Sequence, residues 1–181
     1  MTKMDAGCQR FMSKPLSFQE AIAQSSEWIR RWDQEELSDD VLADAVGKIV
    51  RQRDGARGFF VASLTGESPL MDRLPDPLVY QLRLAGEDLV DLTVRNLAMS
   101  SAMGLHHKRN QDQALMEGSL RVRARCIDLL KHLEPQLVKQ RLERLLEGLD
   151  SKGEDKEFLE RWGYDDEQKA EIKTAMHEVA S

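Results

Sequence analysis

The feature that most constrains the fold is a long stretch of helical apolar periodicity from Glu87 to Leu133, broken once by polar residues. From Glu87 to about His107, one apolar row contains Leu89, Leu92, Met99 and Met103, and another contains Val90, Val94, Leu97 and Leu105. A second run follows Asp112, with a row made of Leu115, Val122, Cys126, Leu129 and Leu133. The pattern predicts two long helices, about 87–106 and 112–133, packed as an antiparallel hairpin at the centre of a bundle.

The rest of the chain also shows helix signals. Ser17 and Glu20 have the spacing of a capping box, and Ser38 can cap the next helix, with Gly55 and Gly58 marking its end. Asp76-Pro77 predicts a helix start with the aspartate as N-cap. Further helices are expected around Pro135 and on both sides of Trp162–Tyr164, which makes an all-α bundle of about seven or eight helices.

One short segment is ambiguous. Residues 58–65 are aromatic, apolar and bounded by glycines, a composition that a β-strand could also have. No other segment reads as a strand that could pair with it, so we predict a short buried helix.

Charge divides the chain into a nearly neutral body and an acidic end. Between Glu147 and Glu171 there are ten acidic and four basic residues, which accounts for the net charge of −6. We therefore expect a flexible N-terminal tail (1–16), a helical bundle domain (17–150) and an acidic C-terminal helical appendage (151–181). The net charge argues against a general nucleic-acid binder but leaves a local basic site open.

The expected location is the cytoplasm. The two cysteines, Cys8 and Cys126, do not suggest a disulfide framework. The N-terminal residues lack the apolar run of a signal peptide, and no stretch reaches the length of a membrane span. We expect neither secretion nor membrane insertion.

The most polar cluster near the apolar centre is His106-His107-Lys108-Arg109-Asn110. Adjacent histidines point about 100° apart on a helix and make a poor metal pair. The sequence contains no His-Glu-x-x-His, Cys-x-x-Cys or Glu-x-x-His motif, so we predict no catalytic residues, no metal and no cofactor. The cluster is either a solvated helix end or a contact for an anion or partner.

Five other residues carry two interpretations each. Arg57, Phe59 and Phe60 form either a buried helix or an interface patch in which one ring is exposed. Arg95 and Asn96, within the most apolar helix, mark either its exposed side or a buried polar network.

A basic run contains Arg121, Arg123 and Arg125. It is either a surface paired with Glu117 and Asp128 at helical spacing, or a phosphate contact shared with Lys108 and Arg109. Three methionines, Met99, Met103 and Met116, are either ordinary core residues or the lining of an adaptable apolar pocket.

Three segments resemble a group of uncharacterised helical proteins from cyanobacteria. They are Asp54–Val61, Asn96–Met103 and His107–Asn110, and the resemblance covers roughly residues 38–135. It implies a cytoplasmic protein and supplies no activity, cofactor or site.

Three functions follow as hypotheses. The first is a non-enzymatic protein-interaction or assembly-helper protein, with a protein partner or a homo-oligomer. The second is a helical sensor whose Met-lined pocket binds a small molecule. The third is a weak nucleic-acid binder that uses Arg121, Arg125, Lys108 and Arg109. An enzyme of another kind stays open.

Overall fold

The computed structural model of the protein describes residues 14–181, and within that range it is all-helical, as predicted. It has nine α-helices and one 3-10 turn (Pro69–Met71), one helix more than the upper expectation. The helices are α1 (Phe18–Asp33), α2 (Asp39–Ile49), α3 (Arg53–Thr65), α4 (Asp76–Leu84), α5 (Glu87–Arg109), α6 (Gln113–His132), α7 (Pro135–Leu149), α8 (Lys156–Trp162) and α9 (Asp166–Ala180).

Most predicted helix starts are found where the capping residues placed them. Ser17 and Glu20 form the reciprocal hydrogen bonds of a capping box, and the Ser38 side chain accepts from the backbone N–H of Val41. Asp165 caps α9 through a second capping box. The prediction for α4 was wrong by one residue, since Pro75 is the N-cap and Asp76 is already helical, where its charge still favours the helix N-terminus.

The ambiguous segment 58–65 is helical, because it forms most of α3. The expected role of Gly55 and Gly58 as the end of the preceding helix was wrong, since both lie inside α3. A Cβ atom on Gly58 would lie 2.5 Å from the Cβ atom of Ala21. The missing side chain therefore lets α1 and α3 pack backbone against backbone.

The two long helices α5 and α6 form the most extensive helix–helix interface among the described residues. Helix α5 runs to Arg109, three residues beyond the predicted end at 106. The connecting turn is short, and Gln111 adopts a left-handed backbone conformation with φ of 56°. The Asp112 side chain then caps α6 by accepting from the backbone N–H of Leu115.

One apolar core extends from α1 to α9. The C-terminal segment 151–181 contributes five buried residues to it: Leu159, Tyr164, Ile172, Ala175 and Met176. Cys126 is fully buried in the same core, and burial raises the pKa of its thiol. Cys8 and most of the predicted N-terminal tail lie outside the described residues, so the flexible tail stays a prediction.

Candidate functional site

The aromatic segment of α3 is part of the core. Phe59 is 0% exposed and Phe60 is 3% exposed. Arg57 is at the surface, where it pairs with Asp54 at 3.2 Å and lies 4.6 Å from the centre of the Phe18 ring. Neither phenyl ring of α3 is therefore exposed to a partner, because other elements cover both rings.

Arg95 belongs to a polar network between helices, while Asn96 does not. Arg95 pairs with Asp91 at 2.9 Å, and its guanidinium lies 4.8 Å from the centre of the Phe158 ring on α8. The Asn96 amide donates to the Leu92 carbonyl within α5 at 2.8 Å. Arg95 thus links α5 to the C-terminal segment, and the Asn96 side chain satisfies its hydrogen bond locally.

The centre of this network is a residue that the sequence reasoning missed, Arg141 on α7. Its guanidinium donates to Asp91 at 2.6 Å and to both carboxylate oxygens of Asp155, at 2.5 and 3.0 Å. In the sequence of α7, Arg141 follows Val138 by three residues and directly precedes Leu142, so it falls within the apolar pattern of this helix. That position on an otherwise apolar face was the available signal for a buried arginine.

The residues of the predicted turn cluster are on the surface at the end of α5. Arg109 donates to Asp165 at 2.6 Å and also to Glu167, which ties the end of α5 to the start of α9. The Asn110 amide lies 3.0 Å from the His106 ring nitrogen. His107 and Lys108 complete the cationic last turn of the helix. Arg109 is therefore occupied by carboxylates of the same chain.

The basic run on α6 is also paired, although not with the residues predicted. Arg121 donates to Glu67 at 2.6 Å and Arg123 donates to Glu178 at 2.6 Å, rather than to Glu117 and Asp128. The sequence suggested helical neighbours, but carboxylates from other elements lie closer. Both guanidiniums thus serve contacts between elements.

Arg125 is buried and holds the segment that follows α3. It donates to both carboxylate oxygens of Asp72 at 2.8 Å, which lowers the pKa of that carboxyl. It also donates to four backbone carbonyls, those of Ser63, Leu64, Gly66 and Ser68. At 2% exposure its guanidinium cannot reach a phosphate in solution.

The structure gives no support for a pocket shared by the three methionines among the described residues. Met99, Met103 and Met116 are each half-buried, and none of them lines either of the two best-formed pockets. Met99 and Met103 lie on α5, and Met116 lies on α6.

A well-formed concave surface in residues 14–181 lies between the end of α6, α7 and α9, and we refer to it as the α7–α9 groove. It has a volume of about 540 Å³. Its floor consists of apolar side chains from α7, α9 and the residue that follows α6: Leu133, Val138, Leu142, Leu146, Met176 and Val179. Most of them are buried, but Leu146 is 43% exposed, so the floor reaches the solvent there.

Two helical rows form most of the apolar floor. Val138, Leu142 and Leu146 lie one turn apart on α7, and Met176 and Val179 lie one turn apart on α9. The position of α9 is fixed by Arg109 at its start and by Arg123, which holds Glu178 near its end. The groove is therefore a preformed gap between two anchored helices.

Polar side chains surround this floor. The rim contains Lys131, Lys139, Glu143, Lys173 and His177. Lys173 donates to Asp150 at 3.0 Å. No cluster of three or more potential metal ligands occurs among the described residues, and none of the described helices is long and apolar enough to cross a bilayer.

Comparison with known proteins places the chain in a family. The family model described as "Uncharacterised conserved protein UCP020893" matches residues 17–179. The chain belongs to this family. No curated protein and no solved structure matches the chain.

The UCP020893 match is longer than the resemblance seen in the sequence, which covered roughly residues 38–135. It includes α7 and the groove-lining residues of α9 as far as Val179. The family description carries no activity, so the α7–α9 groove has to be interpreted from its own geometry.

Proposed function

We propose that the protein is a non-enzymatic protein-interaction module, and that it binds one amphipathic helix of a partner protein in the α7–α9 groove. The observation that carries the proposal is the apolar gap between α7 and α9, which is open to solvent at Leu146. An amphipathic helix that lays its apolar face into such a groove is a common mode of peptide recognition.

The shape of the groove supports a helix as the occupant. Two neighbouring helices present ridges of side chains with a gap between them, and a third helix can insert its own ridge into that gap. Leu146 lies at the open side of the groove. Truncating this side chain or replacing it with a charged one should weaken the binding of a helix but hardly change the stability of the fold. The volume alone would also suit a small amphiphile.

The two alternative functions have less support. A nucleic-acid site on α6 would need free guanidiniums, but Arg121 and Arg123 are paired and Arg125 is buried. A sensor with a Met-lined pocket would need a cavity at Met99, Met103 and Met116, where neither of the two best pockets lies.

Three further expectations remain part of the proposal. They are a cytoplasmic location, a cyanobacterial distribution of the family, and an arrangement of the bundle around the α5–α6 pair as a central hairpin. The location is supported by Cys126, a free thiol within the core. The hairpin is supported by the extent of the α5–α6 interface and the short turn between the two helices.

Peptide display tests the proposal without knowledge of the partner. A library of random peptides, about five helical turns long, is selected on the wild-type protein and counter-selected on the Leu146→Asp variant. We expect enriched peptides with apolar residues at i, i+3, i+4 and i+7. The Leu84→Asp variant serves as control, because Leu84 is 50% exposed and is not a groove residue.

The selection can also refute the proposal. Failure to enrich any helical pattern, or enriched peptides that bind Leu146→Asp as well as the wild type, would show that the groove is not the binding site.

A further inference from the structure

We propose that the partner helix is acidic on the flanks of its apolar face, and that Lys131 and Lys139 recognise those flanks. This inference rests on the proposed function, because it describes the occupant of the same groove. It depends on the charges of the rim rather than on the apolar floor.

The rim has the opposite sign to the protein as a whole. The chain carries a net charge of −6, and its acidic excess lies between Glu147 and Glu171. Among the described residues that line the groove, however, three are lysines and one, Glu143, is acidic. A local reversal of charge around an apolar floor favours a partner of negative charge, because complementary rims guide encounter and fix orientation.

Two of the lysines are available to a partner. Lys131 and Lys139 are exposed, and neither forms an ion pair with any residue in the range 14–181. Glu178 lies near Lys131, but Arg123 holds its carboxylate at 2.6 Å, and this bond lowers the Glu178 pKa. Lys173 differs from both, since it is paired with Asp150.

The two free lysines line the groove from two different helices. Lys131 belongs to the last turn of α6, and Lys139 lies on α7 one residue after Val138 of the floor. Glu143 follows Lys139 by one helical turn and adds a single negative charge there. A helix bound in the groove beside Leu146 would therefore bring its flanking side chains toward these ammonium groups.

The effect of such rim pairs is modest and depends on salt. Exposed ion pairs contribute little individually, so the two together should change affinity by about tenfold at low ionic strength. The same pairs are screened at high salt, where the difference should fall to about twofold or less.

Three synthetic peptides separate the charge from the apolar contact. They share one apolar row, taken from the display selection or designed with leucine at i, i+3, i+4 and i+7, and carry glutamate, glutamine or lysine at the flanking positions. Fluorescence anisotropy at low and high salt gives each dissociation constant. We expect the glutamate peptide to bind about tenfold more tightly than the lysine peptide at low salt.

Substitution of the rim should remove this preference. The double variant Lys131→Gln/Lys139→Gln should bind the glutamate and glutamine peptides equally, while retaining the affinity for the glutamine peptide. The matched control is Lys48→Gln, which changes an exposed lysine on α2 that does not line the groove.

Each outcome decides between the claims. Equal binding of the three peptides, or tightest binding of the lysine peptide, would overturn the inference but leave the groove as a helix site. Absence of binding by all three would overturn the proposed function, and the inference with it. Binding of dodecanoate to the groove in the absence of any peptide binding would assign it to a small anionic amphiphile and contradict both.

Discussion

The Arg141 guanidinium and the Asp155 carboxylate form an ion pair inside the protein, joining α7 to the residue that precedes α8. Arg141 is 2% exposed and Asp155 is 4% exposed, and two hydrogen bonds connect them. Asp91 on α5 accepts a third hydrogen bond from the same guanidinium. Three segments of the chain are therefore held by one side chain.

Loss of this guanidinium should destabilise the fold severely. The Arg141→Met variant keeps the apolar stem but leaves the Asp155 carboxylate buried without its main partner, which costs about 3–5 kcal/mol in comparable cases. We expect a lower urea midpoint for Arg141→Met. The Arg144→Met control removes a partly exposed pair with Glu87 and should cost less than about 1 kcal/mol. Equal losses of unfolding free energy in the two variants would show that the buried ion pair stabilises the fold no more than the surface pair does.

Arg125 should not tolerate lysine. A lysine ammonium has three donors on a flexible stem and cannot reproduce the contacts with Asp72 and the four backbone carbonyls. We expect Arg125→Lys to lower the free energy of unfolding by about 2–3 kcal/mol and to increase amide hydrogen exchange in residues 63–72. The Arg121→Lys variant changes a surface ion pair and should leave the free energy of unfolding and the exchange of residues 63–72 unchanged. An unaffected exchange pattern in Arg125→Lys would contradict the role given to this residue.

Two glycine substitutions should have opposite effects. A Cβ atom on Gly58 would lie 2.5 Å from the Ala21 Cβ atom and 2.8 Å from backbone, so Gly58→Ala should separate α1 from α3 and cost about 1–3 kcal/mol. Gly118 is inside α6 and a Cβ atom there would meet nothing within 4 Å, so Gly118→Ala should stabilise the protein by about 0.5–1 kcal/mol. Thermal melts of both variants measure the sign of each stability change. A Gly58→Ala protein as stable as the wild type would refute the close packing of α1 against α3.

Acid should weaken the network at Asp91. Burial raises the pKa of this carboxyl, but hydrogen bonds and charges from Arg141 and Arg95 outweigh burial and the pKa is lowered from its ordinary value of 3.8. A lowered pKa in the folded state contributes stability above the unfolded pKa, and this contribution is lost as the pH falls below 3.8 toward the folded pKa.

The Asp91→Asn variant isolates that contribution. The difference in unfolding free energy between the wild type and Asp91→Asn should be constant above about pH 5 and shrink at lower pH. Urea unfolding at a series of pH values measures it. A difference that stays constant down to pH about 3 would exclude a lowered Asp91 pKa.

Local features of this fold could be predicted from the sequence, and contacts between distant segments could not. Ser17 and Ser38 cap helices as expected, because a cap involves only the next three residues. The interval 58–65 was correctly predicted as helical because it had no strand to pair with. Gly58 was wrongly predicted to mark the end of a helix. A glycine fits there because Ala21, far away in the sequence, packs closely against it.

The candidate groove could be predicted only in part. The apolar rows of α7 and α9 are visible in the sequence, but the gap between them depends on how Arg109 and Arg123 hold α9. Arg109 and Arg123 stand out in the sequence for their charge. Their partners, Asp165 and Glu178, lie more than fifty residues away in the chain, beyond the reach of helical spacing rules.

The location of a bound helix tests the central claim most directly. In protein labelled with ¹³C at the methionine methyl groups, Met176 reports on the floor of the α7–α9 groove, while Met99, Met103 and Met116 report on the α5–α6 region. Titration with a display-selected peptide should shift the Met176 signal and leave the other three in place. Shifts at Met99, Met103 or Met116 with an unchanged Met176 signal would contradict the groove as the binding site.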